Sequence, residues 1–293
     1  MNILLCGASG FIGRHIDAAL CAAGHQVIAF SRRSAPALDF TRALSINDWL
    51  AHLAGVDAVV NAVGVLRDTR RRPMSAVHDQ APRALFDACA QVGVRRVVHI
   101  SALGITDNPT LYARSKQAAD AHLLALTHAG TLDGAVLRPS IVFGPGGQSS
   151  QLFLALARLP VLLLPRAVQT AQVQPVAVGE LARAVANLVA QPQRTGLLEL
   201  GGPQVLTLAG FIASLRQQLG HGPARIATLP DVLTRLSARC GDVVPVAPWC
   251  TETLTLLSTD NVTNPATLRE LLGCAATPPN ELLALDRQAV ENL

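Results

Sequence analysis

The chain has 293 residues, of which 50% are apolar, 15% charged and only 3% aromatic. That composition excludes a disordered chain and suits a core of Ala, Val, Leu and Ile, the usual filling of buried parallel strands covered by helices. A net charge of +4 with a pI near 9.0 is too mild for a dedicated nucleic-acid binder, so no nucleic-acid partner is expected. The cysteines, Cys6, Cys21, Cys89, Cys240, Cys250 and Cys274, show neither CxxC nor metal-ligand spacing. They read as small hydrophobes in a reduced, cytoplasmic setting, and no metal is expected. The first strand is expected to begin at about Asn2, and no leader is expected before it. The most apolar run, Leu152 to Pro165, is broken by Arg158 and Pro160 and is too short to span a bilayer. It reads as a buried helix and strand, with a membrane surface or a protein partner as the alternative.

Asn2–Cys6 is a short apolar run, a buried strand. Gly7-Ala8-Ser9-Gly10-Phe11-Ile12-Gly13 follows, then a helical pattern from Arg14 to Ala23 stopped by Gly24, then a strand at Gln26–Phe30. Strand, glycine turn, helix and strand within about thirty residues make a dinucleotide-binding βαβ unit. Its glycines permit the turn, the approach of backbone to a pyrophosphate and close helix–strand packing. The helix N-terminus offers N–H groups to the phosphates.

The second strand ends in Ser31-Arg32-Arg33, where NAD-binding chains carry an acidic residue. A hydroxyl and two guanidinium groups favour the 2′-phosphate of NADP, with NAD as the alternative. Asp39-Phe40 reads as the end of a third strand. A helix at 46–54 and a strand at 57–61 follow, the latter ending in the turn Asn61-Ala62-Val63-Gly64. Arg67 to Pro73 is the densest charge and reads as a solvated loop, with an anionic substrate group as the alternative. A long helix at 73–92, a strand at 96–100 with His99 packed in apolar company, and Ser101 at its end come next.

Tyr112-Ala113-Arg114-Ser115-Lys116 opens the next helix. The chain holds 1 Tyr and, beside 23 Arg, 1 Lys, and these two sit four positions apart. On a helix such residues share a face. An ammonium beside a phenol stabilises phenolate and makes it a usable general acid/base near neutrality, which a broad guanidinium does poorly. A strand at 134–138 then runs into Pro139-Ser140-Ile141-Val142-Phe143-Gly144. Beyond it the regular alternation fades. Helices are expected near 151–158, 179–190, 208–219, 232–240, 251–257 and 266–272, with strands at 172–176 and 196–200. The fold class is α/β, a Rossmann-type doubly wound parallel sheet with a smaller mixed C-terminal substrate region. Residues 1–165 are expected to form the nucleotide-binding domain. Residues 166–293 partly complete it and form a substrate or partner lobe.

Taken together, Gly7-x-x-Gly10-x-x-Gly13, Asp39-Phe40, Asn61-Ala62-Val63-Gly64, Ser101, Tyr112-x-x-x-Lys116 and Arg138-Pro139-Ser140 to Phe143-Gly144-Pro145 resemble the extended and atypical short-chain dehydrogenase/reductases. The wording of 97–104, 137–144 and 173–176 is similar to the subgroup of the 39-kDa-type accessory subunit of respiratory complex I. The resemblance implies that Gly7, Ser9, Gly10, Phe11, Ile12 and Gly13 hold the pyrophosphate, that Asp39 and Phe40 contact the adenine, and that Ala62, Val63 and Gly64 line the adenosine side. It further implies that Lys116 binds the nicotinamide ribose, that Tyr112 exchanges the proton, that Ser101 hydrogen-bonds the substrate oxygen, and that Pro139 and Val142 lie against the nicotinamide. The expected activity is an NAD(P)-dependent oxidoreductase or epimerase acting on a small or apolar carbonyl or alcohol, as monomer or homodimer. The alternative is a non-catalytic NADP(H)-binding assembly protein with a protein partner. Ser101 and Tyr112 are only eleven apart, which trims the loop that covers nucleotide sugars in the extended enzymes.

Overall fold

The computed structural model describes residues 1–32, 39–243, 249–257 and 259–285. In chain order the first part runs β1 (Asn2–Cys6), α1 (Phe11–Ala22), β2 (Gln26–Phe30), α2 (Asn47–Leu50), β3 (Ala58–Asn61), a π-helical segment (Ser75–Gln80), α3 (Ala81–Val92), β4 (Arg96–Ile100), α4 (Leu111–His128) and β5 (Asp133–Pro139). There follow β6 (Val142–Phe143), α5 (Gln148–Arg158), β7 (Val161–Pro165), α6 (Arg166–Thr170), β8 (Gln172–Val173), β9 (Val176–Ala177), α7 (Val178–Val189) and β10 (Gly196–Leu200). The chain continues through β11 (Leu206–Thr207), α8 (Leu208–Gln218), β12 (Arg225–Leu229), α9 (Asp231–Val243), α10 (Thr251–Leu256) and α11 (Ala266–Leu272).

The chain divides into two compact units, one of 1–138 with 179–199, the other of 139–178 with 200–293. The first is built on a six-stranded sheet in the order β10-β5-β4-β3-β1-β2, with parallel register from β2 through β1, β3 and β4 to β5. Its central strands β3 and β4 bury every residue, so their apolar positions face helices on both sides, and Asn61, Arg96 and His99 are buried polar exceptions. Winding reverses between β1 and β3. The crevice at the carboxyl ends of those strands is where open α/β sheets bind ligands. Arg96 fastens the returning segment 179–199 by donating to the carbonyls of Asp133, Leu188 and Arg194.

Several elements differ from expectation. Neither Asp39 nor Phe40 is a strand residue, and positions 33–38 before them lie outside the described residues. Asp39 accepts from the N–H and hydroxyl of Thr41, both at 2.9 Å, and caps a turn instead. The helix expected at 73–92 opens with the π-helical segment, because Pro82 cannot donate an N–H back into an α-helical ladder. The strand expected at 172–176 is split into β8 and β9, with Gln174-Pro175 between them.

The second unit gathers Phe143, Phe153, Leu162, Leu164, Phe211, Ile212 and Leu215 into a core. The run 152–165 thus contributes buried Phe153, Ala157, Leu162 and Leu164, while Leu159, Val161 and Leu163 stay exposed. Among the described residues no helix is long and apolar enough to cross a membrane, and no cluster of His, Cys, Asp or Glu is arranged to hold a metal. All six cysteines are free; Cys6, Cys89 and Cys250 are buried, and Cys21, Cys240 and Cys274 are exposed.

Candidate active site

The glycine turn is dictated by contacts. Gly7 has φ +85°, and a Cβ on it would stand 3.0 Å from the Ala62 carbonyl group. A Cβ on Gly13 would lie 2.1 Å from the Gly7 oxygen, closer than atoms can approach. The turn is pinned to β2 by Gly7 N–H donating to the Phe30 carbonyl at 2.8 Å. α1 starts at Gly10 with neither a side-chain cap nor an acidic residue in its first turn. Its leading N–H groups therefore lack a side-chain acceptor and can serve an anion. Ser9 and Gly10 are exposed, and Phe11 and Ile12 half-buried. These features fit a dinucleotide pyrophosphate.

At the end of β2, Ser31 is half-buried and Arg32 exposed, while Arg33 lies outside the described residues. Phe40 is buried edge-on against Trp49, with ring centroids 5.2 Å apart. At the end of β3, Asn61 is fully buried. Its side-chain Oδ1 accepts from Val63 N–H at 3.1 Å, which shapes the Ala62-Val63-Gly64 turn. Its amide meets Nδ1 of His99, its register partner on β4, also at 3.1 Å. His99 is therefore a paired polar core residue as well as a packed one, edge-on to Phe86. The Arg67–Pro73 loop forms a tight Thr69–Arg72 bridge with Arg70, Arg71 and Arg72 exposed, a solvated turn as expected.

α4 carries the chemistry. Thr110 caps it by accepting from Ala113 N–H, and Asn108 in turn accepts from the N–H and hydroxyl of Thr110. Tyr112 is half-buried and Lys116 buried. The Lys116 ammonium donates to the Ile100 carbonyl at 2.9 Å, at the end of β4 and one residue before Ser101. Burial brings its pKa down from 10.5 to about 8, with Asp120 opposing the shift. A Cβ on Gly64 would stand 3.7 Å from the Lys116 nitrogen, so the Ala62–Gly64 turn borders the site. The structure thus brings the ends of β3 and β4 to one face of α4.

Sequence reasoning missed Asp120, one further turn along that face and fully buried. Its Oδ2 accepts from Ser101 Oγ and from Arg138 Nε and Nη2, each at 2.8 Å. Arg138 also donates to Thr106 Oγ1 at 3.0 Å. The Asp120 Oδ1 faces His99 Nε2 at 3.6 Å. Burial raises the Asp120 pKa, while Arg138, Ser101 and Lys116 pull it back. The continuing spacing Tyr112, Lys116, Asp120 was the available signal. The Ser101 hydroxyl spends its one hydrogen-bond donor on Asp120. Pro139, buried, and Val142, half-buried, belong to the second unit.

A glycine turn feeding a bare helix start at the switch point of a parallel sheet defines a Rossmann-type dinucleotide-binding protein. Residues 3–195 match the model of the NAD dependent epimerase/dehydratase family, and the chain belongs to that family. It is similar to the ceramide reductase of Caulobacter vibrioides (strain NA1000 / CB15N), 26% identical over 242 residues, which covers 78% of this chain and 74% of that protein. It is also similar to NADH dehydrogenase [ubiquinone] 1 alpha subcomplex subunit 9, mitochondrial, of Rattus norvegicus, 25% identical over 263 residues, 84% of this chain and 68% of that protein. The fold matches that of MoeE5 in complex with UDP-glucose and NAD, with a TM-score of 0.69 at 20% identity, over 100% of this chain and 99% of that one. The family places the chain among nicotinamide-dependent epimerases, dehydratases and reductases, as the resemblance implied.

Proposed function

We propose that the protein is an NAD(P)-dependent oxidoreductase acting on an apolar carbonyl or alcohol. The carrying observation is the placement of the single Tyr and the single Lys on one face of α4, with the Lys116 ammonium anchored on Ile100 beside Gly64. When bound, the nicotinamide supplies or accepts the hydride. The residues supply the rest. Hydride arrival leaves alkoxide charge on the substrate oxygen, and Tyr112 delivers the proton it needs. Lys116 favours the tyrosinate left behind and holds the ribose. Gly7–Gly13 and the first turn of α1 hold the pyrophosphate. Ser31 and Arg32 favour NADP. Because Ser101 already donates to buried Asp120, this reading assigns it to holding that carboxylate rather than the substrate oxygen. Two facts support an apolar substrate: the short Ser101–Tyr112 loop, and the ceramide reductase among the relatives.

The test is NADPH oxidation with a panel of long-chain ketones and 3-oxo compounds. Tyr112→Phe is expected to lose at least about a hundredfold in turnover while binding NADPH as the wild type does. A Tyr112→Phe variant with full turnover would sink the reading. Calorimetric titration with NADPH and NADH decides the cofactor, with Arg32→Ala expected to weaken NADPH alone.

A second reading, a cofactor-stabilised assembly protein, is favoured by the similarity to the NADH dehydrogenase subunit over most of this chain. It predicts an NADPH-raised melting temperature, no turnover on the panel and a stable protein partner. The exposed Val161, Leu163 and Ile226 would be the first contacts to probe. Turnover of any panel substrate counts against it.

A further inference from the structure

His78 has no part in the chemistry above, yet it is 1% exposed and sits within the π-helical segment. Such segments are rare and concentrate at functional sites. Its Nε2 accepts from Val65 N–H at 2.9 Å. Its Nδ1 lies 3.1 Å from Ser115 Oγ, and Ser115 Oγ lies 3.0 Å from the Tyr112 carbonyl. Only one assignment satisfies all three contacts. An amide N–H can only donate, so Nε2 carries no proton. The imidazole hydrogen is then on Nδ1 and goes to Ser115, whose own hydrogen goes to the Tyr112 carbonyl. The imidazole also meets the Tyr112 ring edge-to-face, centroids 5.3 Å apart at 89°. A Cβ on Gly64 would stand 3.7 Å from both His78 Nε2 and Lys116 Nζ, so His78 and Lys116 flank the same glycine.

We propose that His78 is a positioning residue: as a neutral imidazole protonated on Nδ1, it clamps the Val63–Val65 turn at the end of β3 to the first turn of α4, and so fixes Tyr112 relative to the turn that borders the cofactor. The charged and titratable groups around it are Lys116, His99 and Tyr112. Burial, with Lys116 adding to it, lowers the His78 pKa to about 2, so the neutral form persists across the working range. A protonated ring would aim Nε2–H at the Val65 N–H and break the clamp. The catalytic arm of this inference rests on the Tyr112 reading above; the two binding and titration arms do not.

Because the chain has 1 Tyr, [13Cζ]tyrosine NMR reports Tyr112 alone. The titration midpoint of that signal, the NADPH dissociation constant and kcat are measured for wild type, His78→Phe, His78→Gln, Ser115→Ala and the Phe/Ala double variant. His78→Phe keeps a ring against Tyr112 and removes both hydrogen bonds. It is expected to raise the phenol midpoint by about half a pH unit or more and to weaken NADPH binding about threefold. It should also cut kcat about tenfold, by misplacing the acid. His78→Gln, which carries both an acceptor and a donor, should stay within about twofold of wild type in kcat and binding. Ser115→Ala should move the midpoint in the same direction, and the double variant should be no worse than His78→Phe.

A folded His78→Phe with wild-type midpoint and wild-type NADPH affinity overturns the proposal, as do additive effects in the double variant. Should His78→Phe fail to fold, Ser115→Ala decides, and a wild-type midpoint there overturns the clamp. If wild type shows no turnover at all, it is the oxidoreductase reading that fails, and the midpoint and affinity still judge His78.

Discussion

Lys116 is an ammonium taken out of water, held by one backbone carbonyl and the field of Asp120. A lysine whose native pKa, about 8, lies below its ordinary 10.5 binds fewer protons folded than unfolded between those values. Stability therefore rises with pH from about 8 to 10.5, by roughly 3 kcal/mol if other groups are unchanged. Urea unfolding of the cofactor-free protein across that range should show the rise, and Lys116→Met should flatten it. The same titration removes the ammonium charge, so NADPH affinity should fall as pH passes about 8. Asp120 is the complementary case. Removing it strands Arg138 and Ser101 inside the protein. Asp120→Ala is expected to cost about 3–5 kcal/mol by chemical denaturation, and Ser101→Ala clearly less, since it leaves the Arg138–Asp120 pair intact.

The elements explain why these residues meet. α4 buries Ser115, Lys116 and Asp120 on the face where an ordinary surface helix would bury leucines. Such breaches of local pattern are expected where function outweighs packing. The β1–α1 turn is the opposite case, in which sequence and geometry agree completely. Gly13→Ala drives a methyl group into the Gly7 carbonyl, and the turn must open to take it. The expected result is about 2–3 kcal/mol of lost stability, with loss of NADPH binding, read by urea denaturation and calorimetry. Gly24, where nothing lies within 4 Å of an added Cβ, carries only the strain of its positive φ. Gly24→Ala should therefore leave NADPH affinity unchanged while costing about 1 kcal/mol.

At the scale of the molecule, the first unit holds the glycine turn, the ends of β3 and β4 and the α4 face, and the second holds Pro139 and Val142. A ligand that binds the native state alone stabilises it by mass action, about 2.7 kcal/mol at a hundredfold excess over its dissociation constant. Saturating NADPH should thus raise the melting temperature by several degrees in scanning calorimetry, and more than NADH if Arg32 reads the 2′-phosphate. Equal shifts with the two cofactors would remove the argument for NADP. The exposed Val161 and Leu163 on β7 show that the apolar run 152–165 is not consumed entirely by the core.

What the sequence determined by itself was local and periodic. The strands β1 to β5, the glycine turn and the sharing of one helix face by Tyr112 and Lys116 follow from apolar runs, steric need for glycine and the helical repeat. Those rules act within a few residues, so they survive without knowledge of the fold. Only the tertiary structure decided the rest. Asp120 is set apart only by Arg138, some eighteen positions on, and by Ser101, both of which donate to it in the folded chain. His78 gave no signal, because its partners Val65 and Ser115 come from other segments and its π-helical backbone has no sequence period. Asp39-Phe40 was misjudged as a strand end because two residues carry no periodicity, and the Thr41 contacts that make it a turn are specific hydrogen bonds. Buried polar networks join residues distant in the chain, and their energy depends on who meets whom. That is why the pair in Tyr112-x-x-x-Lys116 was legible from the chain, and the shell that holds it was not.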